Sequence, residues 1–358
     1  MRDFKKEFPV LSQYTYLNTA YSGLMQTSLV EWRQEQDFDY LFKGSLYREQ
    51  HHTFIEKVRK GVGDFFNCKP SHVSLIPNFS YAFNTLLSGL GVRKKVLLLE
   101  NDYPSINEPV ERGDFEVVYA KIDENLEENI GEAVSTYQPD IFVFSIVQYI
   151  NGIKIDFPFL KQLKIEHPNL LIIADGTQFC GTSEFDFENS GIDILLASAY
   201  KWLLSGYGNG FMLFKKNSIP EVFANHFTKQ TSSGQFSIHQ MHLMNHFEPG
   251  HLDTKSFGSL LFSIQFLQSI GMKSITSQIK LLSDKAKEKL IELELLEEAV
   301  VKRKDHSSIF NIRGDSKLFS KLQSKYILCA QRGSGIRVSF HFYNTEKDLN
   351  TFLLNLRK

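Results

Sequence analysis

The chain carries almost no net charge: 40 Lys and Arg against 41 Asp and Glu leave a formal balance of −1 over 358 residues. Such a surface offers no electrostatic reason to bind nucleic acid or an anionic membrane. Cysteine is scarce. Cys68, Cys180 and Cys329 form no CxxC pair and no disulfide framework, which suits a reducing compartment. Long apolar runs are missing as well. No stretch reaches the length of a transmembrane helix, and MRDFKKEFPVLSQ at the start lacks the apolar core of a secretion signal, so a cytoplasmic location is expected. Repeats and low-complexity linkers are absent too. A chain of this length, 42% hydrophobic and with 31 Phe to fill its interior, supports a large core and is expected to form two domains.

What is present is periodic. Apolar residues recur every three or four positions over 27–42 and 48–66, which predicts helices. From 73 to 214, short branched runs alternate with helical stretches. Strands are predicted at 73–76, 96–99, 116–120, 141–145, 170–174 and 192–197, with helices near 106–112, 125–137 and 157–166. That alternation predicts an α/β fold with a mostly parallel sheet flanked by helices. Past 214 it stops. A long amphipathic stretch at 275–299 precedes strand, helix and two strands at 308–313, 318–325, 327–330 and 336–341, and a closing helix starts at Asn344 or Thr345. The division expected is a large domain over 14–250 and a smaller α+β domain over 251–358, with residues 1–13 packing against the latter.

The polar ends of two strands carry the chemistry, because ligands of open α/β sheets sit beyond carboxyl ends. The run at 170–174 delivers Asp175 and Gln178, within ADGTQ. The run at 192–197 delivers Ser198, Tyr200 and Lys201, within SAYK, and then Gly206, Gly208 and Gly210. A lysine after a buried strand, beside an aromatic and a glycine turn, suggests a Schiff-base lysine rather than a solvated one. A carboxylate on the neighbouring strand end suits the nitrogen of a pyridinium ring. The glycines are no dinucleotide fingerprint, since position 211 is Phe where a third Gly is required; they let the backbone turn tightly. Ser80 and Tyr81 open a helix directly after a strand, where N–H groups and the helix dipole favour phosphate, with a plain N-cap as the alternative. His239, His242 and His246 recur at helical spacing near His251, but no cysteine or close carboxylate completes a ligand set, and no metal is expected.

ADGTQ and SAYK, in this order, resemble the strand ends of the class V aminotransferase family, fold type I of the pyridoxal-phosphate enzymes. Cysteine desulfurases, selenocysteine lyases, isopenicillin N epimerase-like proteins and some transaminases belong to it. The resemblance implies a large domain with a seven-stranded sheet, and pyridoxal 5'-phosphate as cofactor. By position, Lys201 would form the internal aldimine, Asp175 would pair with the pyridine nitrogen, and Gln178 would bond the phenolic oxygen. Ser198, Tyr200 and the loop at Ser80 and Tyr81 would hold phosphate. Tyr103, in ENDYPS, stands where relatives put an aromatic or His over the ring. In SIVQYINGIKID, either Gln148 or Tyr149 would face the cofactor while Gly152 serves the turn.

Three further segments extend the resemblance. FEPGHLDT puts His251 where relatives have a Thr reaching the phosphate of the other subunit, which implies a homodimer; a structural histidine is the alternative. YTYLNTAYSGL resembles the family's opening over the active site, so Asn18 and Ala20 are candidates beside a plain strand end and turn. GIRVSFHFYNTEKDL resembles the family's ending and implies that Arg337 binds the substrate α-carboxylate. The expectation is a pyridoxal-phosphate enzyme acting on an amino acid or amine, foremost an aminotransferase. Epimerase, C–S lyase or desulfurase activity, or a non-catalytic binding module, are the alternatives. Cys329 lies only eight residues before Arg337 in an apolar run, which disfavours the desulfurase.

Overall fold

Backbone N–H and C=O groups of a segment buried on both faces can pair only with neighbouring strands, and the branched runs do so here. The computed structural model describes residues 4–218 and 246–356. After a two-residue strand, β1 (Thr15–Tyr16), come β2 (Val73–Ile76), β3 (Lys95–Leu99), β4 (Glu116–Ala120), β5 (Ile141–Ser145), β6 (Leu171–Asp175), β7 (Ile194–Ser198) and β8 (Gly210–Phe214). The last seven form one sheet in the order β2-β8-β7-β6-β5-β3-β4. All pairs among β3 to β7 are parallel, and β8 alone runs against its two neighbours. Alternate residues serve opposite faces, as the strand period requires. Leu97, Phe142 and Ile172 join one apolar cluster, and Val96, Val143 and Ile173 the other.

The helices between these strands are α1 (Thr27–Lys43), α2 (Ser45–Glu49), α3 (His51–Phe66), α4 (Phe79–Gly89), α5 (Pro104–Glu111), α6 (Leu126–Tyr137) and α7 (Phe157–Glu166). Strand order reverses between β3 and β5: the chain adds β4 outside β3, then returns to the other side of β3. Connections diverge there and leave a crevice at the carboxyl ends.

Beyond the central sheet, β9 (Ile309–Arg313), β11 (Ala330–Arg332) and β12 (Gly335–Ser339) make an antiparallel sheet, while β10 (Ile327–Leu328) pairs in parallel with β1. The single strand expected at 327–330 is thus two, because the chain changes partners at Cys329. The amphipathic stretch at 275–299 also divides, into helices Met272–Glu292 and Glu298–Lys302. Between them Glu294 takes φ 57, a left-handed conformation that no helix continues through. Phe4 and Phe8 pack on Phe342, with ring centroids 5.0 and 6.3 Å apart. Among the described residues no helix is long and apolar enough to cross a membrane.

The exposed edge of β2 is closed by side chains. Arg59 donates to the Val73 carbonyl at 2.9 Å and to both Glu248 oxygens, while Glu248 accepts the Leu75 N–H at 2.7 Å. Both side chains are buried, so removing Glu248 leaves the Arg59 charge with only its half-exposed partner Glu56. Glu248→Ala is expected to cost about 3–5 kcal/mol of stability in a denaturant titration. The double variant Arg59→Met/Glu248→Ala should cost less, since no charge is then stranded.

Candidate active site

A cavity of about 380 Å³ opens at the carboxyl ends of the central strands, beside the strand-order reversal. Tyr103 follows β3, while Ser145 to Tyr149, Asp175 to Gln178 and Ser198 to Lys201 each begin on the last residue of β5, β6 and β7. All four segments contribute to its wall. Lys201 is 94% buried in the fold, its Nζ 5.8 Å from the Tyr103 ring centroid and 5.5 Å from that of Tyr200. Burial pushes its amine down to about 7, partly opposed by the negative charge of Asp175. The Asp175 carboxyl, also buried, is held above the usual carboxylate range. It accepts the Thr177 N–H at 2.7 Å, and the Thr177 hydroxyl in turn accepts the Ser198 N–H at 3.0 Å.

Gln178 is fixed from both sides: its amide nitrogen donates to the Ala20 carbonyl at 2.9 Å and its oxygen accepts Trp202 Nε1 at 2.9 Å. One amide hydrogen remains for the cavity. Ala20 acts only through this bond, and its own N–H goes to Ser339 Oγ. Gly23 closes over the same region. Its N–H meets the Tyr200 carbonyl at 2.9 Å, and a Cβ there would lie 2.0 Å from the Lys201 carbonyl oxygen. Gly206 and Gly208 both have positive φ, as the tight turn after Lys201 requires. Tyr207, between them, stacks on Tyr200 at 4.7 Å.

The start of α4 faces the cavity through Asn78, Phe79 and Ser80. Its N–H groups are not all free, as a bare helix start would leave them. Phe79 N–H goes to Ser198 Oγ at 2.8 Å, and Tyr81 N–H to Asn78 Oδ1 at 2.9 Å. The Tyr81 side chain is exposed and lines no part of the cavity. Arg337 is 3% exposed and stands behind Tyr149, donating to its carbonyl at 2.6 Å; its Nε has no partner among the described residues. Gln148 Nε2 and Asn18 Oδ1 are likewise buried without partners. Gln148 is buried and Tyr149 lines the cavity. His251 lies elsewhere, exposed and bonded to Arg48 Nη2 at 2.9 Å. His239 and His242 lie outside the described residues.

Several residues here escaped the sequence reading. Thr177 was in plain view inside ADGTQ. Asp102, next to Tyr103, is buried and accepts the N–H groups of Tyr103 and Ser145 at 2.6 and 2.7 Å, tying β3 to β5. Burial raises its carboxyl, and its charge acts on Asp175. Tyr207 carries no sequence signal apart from its glycine neighbours.

The depressed Lys201 amine has a consequence for the protein without cofactor. Between about 7 and 10.5 the unfolded chain holds a proton that the folded one lacks, so this lysine makes stability rise with pH across that window. Urea titrations of Lys201→Met at pH 7 and pH 9 should show that rise diminished relative to the parent.

A fold-type-I sheet with a buried lysine and carboxylate at its carboxyl edge defines a pyridoxal-phosphate enzyme. The chain belongs to the class-V aminotransferase family, whose model matches residues 42–352. It is similar to an uncharacterized aminotransferase, YcbU, of Bacillus subtilis (strain 168): 24% identity over 361 residues, 97% of this chain and 94% of that one. Similarity to the cysteine desulfurase IscS of Neisseria meningitidis serogroup C is 23% over 157 residues, covering 41% of this chain and 39% of IscS. Among solved structures, a cysteine desulfurase from Thermococcus onnurineus NA1 superposes with TM-score 0.84 at 18% identity, over 99% of this chain and 98% of that one. The cystine C–S lyase C-DES superposes at 0.85 and 17%, over 98% of each.

Proposed function

We propose that the chain is an aminotransferase for an amino acid, with Lys201, Asp175 and Arg337 as its working groups. One observation carries this most directly. A buried lysine is held short of full basicity in a cavity it shares with a buried carboxylate, with an unpaired guanidinium Nε behind the wall. The unpartnered Arg337 Nε fits a carboxylate substrate. Lys201 and Asp175 would hold the cofactor at its reactive carbon and its pyridine nitrogen, Gln178 its phenolic oxygen, and Ser80, Ser198 and Tyr200 its phosphate. When bound, pyridoxal phosphate supplies an electron sink for charge at the substrate α-carbon. Asp175 would keep a proton on the pyridine nitrogen. Lys201, its amine lowered by burial so that a large share is unprotonated near pH 7, would take the α-proton and return it. Arg337 orients the α-carboxylate.

Persulfide chemistry finds no support in the cysteines. Cys68, Cys180 and Cys329 are all buried, and burial pushes the Cys68 and Cys329 thiols up to about 12. Cys329 is also pinned at the junction of β10 and β11. A screen of amino acids with an oxo-acid acceptor should yield paired oxo acid and amino acid, not elimination products. Cys329→Ser should keep turnover on the best substrate within about twofold, as expected of a change away from the reacting groups. Sulfide release that disappears in this variant would overturn the reading.

The same proposal includes a second copy of the chain. Phe38, Leu41, Phe42 and Leu46 expose large apolar surface on α1 and α2. Gln36, Asp37 and Tyr40 of the same helix share a cavity with His251. Burying this face in a homodimer would place His251 at the interface between the subunits, and sedimentation checks the association. The free cysteines go with a cytoplasmic location.

A further inference from the structure

Arg332 belongs to none of the roles above, yet its place in the fold ties it to the cavity. It sits on the β11–β12 hairpin, whose register sets Ala330 opposite Arg337 and Arg332 opposite Gly335. Opposed residues share a face, and so do residues two apart, so Arg332 and Arg337 are diagonal neighbours on one face. Their two positive charges are near enough to act on one another. Neither has a carboxylate partner among the described residues: Arg337 donates to the Tyr149 carbonyl, and Arg332 to the Gln331 carbonyl at 3.0 Å. Arg313, opposite Gly335 on β9, shares the face but bonds the Glu294 carbonyl at 3.1 Å.

The hairpin leans on the wall of the cavity. A Cβ at Gly333 would be 3.4 Å from Ile150 Cγ2, and Ile150 directly follows Tyr149. From the other side the Arg332 guanidinium lies over the Tyr21 ring, 5.0 Å from its centroid, on the segment that closes over Lys201. Asn311 Nδ2 holds the Arg332 carbonyl at 3.0 Å and fixes the hairpin end. Arg332 is half-buried. Its positive charge also acts on Lys201, Arg337 and Tyr149.

Two adjacent cations without a counter-ion repel each other and destabilise the hairpin unless a ligand supplies negative charge. One carboxylate answers Arg337. We propose that Arg332 receives a second anionic group, so that the substrate is an amino acid with an acidic side chain, such as a dicarboxylic amino acid. This rests on the reading of Arg337 as the α-carboxylate site, and it makes Arg332 the residue that sets side-chain specificity. Guanidinium suits the task because it is permanently charged and forms paired bonds to a carboxylate.

The test is calorimetric titration of the cofactor-loaded enzyme with glutarate and with butyrate, which differ in the second carboxylate. Glutarate should bind at least about tenfold more tightly, the worth of one charge-assisted contact. In Arg332→Gln the glutarate-to-butyrate ratio should fall toward one, and Arg332→Lys should restore part of it. Steady-state kcat/KM for glutamate over glutamine should move in parallel. Equal binding of both acids by the parent enzyme overturns the proposal without any variant. A glutarate preference that survives Arg332→Gln, in protein whose melting is unaltered, also overturns it. Failure of the underlying reading looks different: no cofactor would be fixed on Lys201, or neither acid would bind in competition with an amino acid.

Discussion

A Lys201→Ala chain is expected to bind no cofactor that borohydride can fix, and to lose at least about 10³-fold in kcat on the best amino acid found. The expectation follows from where the other lysines stand. Lys215 is the natural control, since burial lowers its amine too and its head lies over the Phe187 ring at 5.8 Å. But Lys215 follows β8, the one strand that runs backwards, and its N–H bonds Asp193 at the amino end of β7. It is therefore at the opposite edge of the sheet. Peptide mapping after borohydride reduction should find the cofactor on Lys201 alone, with Lys215→Ala labelled like the parent. Label on Lys215, or equal label in Lys201→Ala, would refute the assignment.

Asp175→Asn should be nearly as damaging to turnover while leaving the fold intact. The amide is the same shape and its oxygen still accepts the Thr177 N–H, so the β6 turn stays. What is lost is the negative charge that holds a proton on the pyridine nitrogen. A drop in kcat of at least about 10²-fold is expected, alongside weaker cofactor retention on dialysis. Asp102 does not substitute for it. That carboxylate is spent on two backbone N–H groups of neighbouring strand ends. Near-parental kcat in the variant would show that ring protonation does not depend on Asp175.

How much of this was legible depends on the range of the interaction. The strands at 73–76, 116–120 and 141–145 stood at the expected positions because a buried strand needs a branched apolar run, and such runs are local. Asp175, Gln178, Ser198 and Lys201 were legible for the same reason, each lying within three residues of a strand end. Partner choice was not local. The stretch at 327–330 has one continuous apolar pattern, yet its halves pair with β1 and β12, and nothing in the pattern marks Cys329 as the junction. Tyr81 shows a related limit. Helical spacing places it one residue from Ser80, and that single step turns its ring into solvent. Asp102 was hidden because its worth lies in reaching across to Ser145, 43 residues away.

The segment around β1 carries a consequence for the order of assembly. Its partners lie far downstream in the chain: Ala20 N–H meets Ser339, the Leu17 carbonyl accepts the Ser339 hydroxyl, and Asn344 bonds the Tyr16 carbonyl, at separations of 319, 322 and 328 residues. The same segment supplies the carbonyl that steadies Gln178. Contacts of such long range carry the largest loop-closure cost and form late. On the ribosome the central sheet can be complete while the roof over Lys201 still waits for residues beyond 327 to emerge. The pocket around Lys201 is therefore the part of the fold whose closure depends on the most distant stretches of the chain.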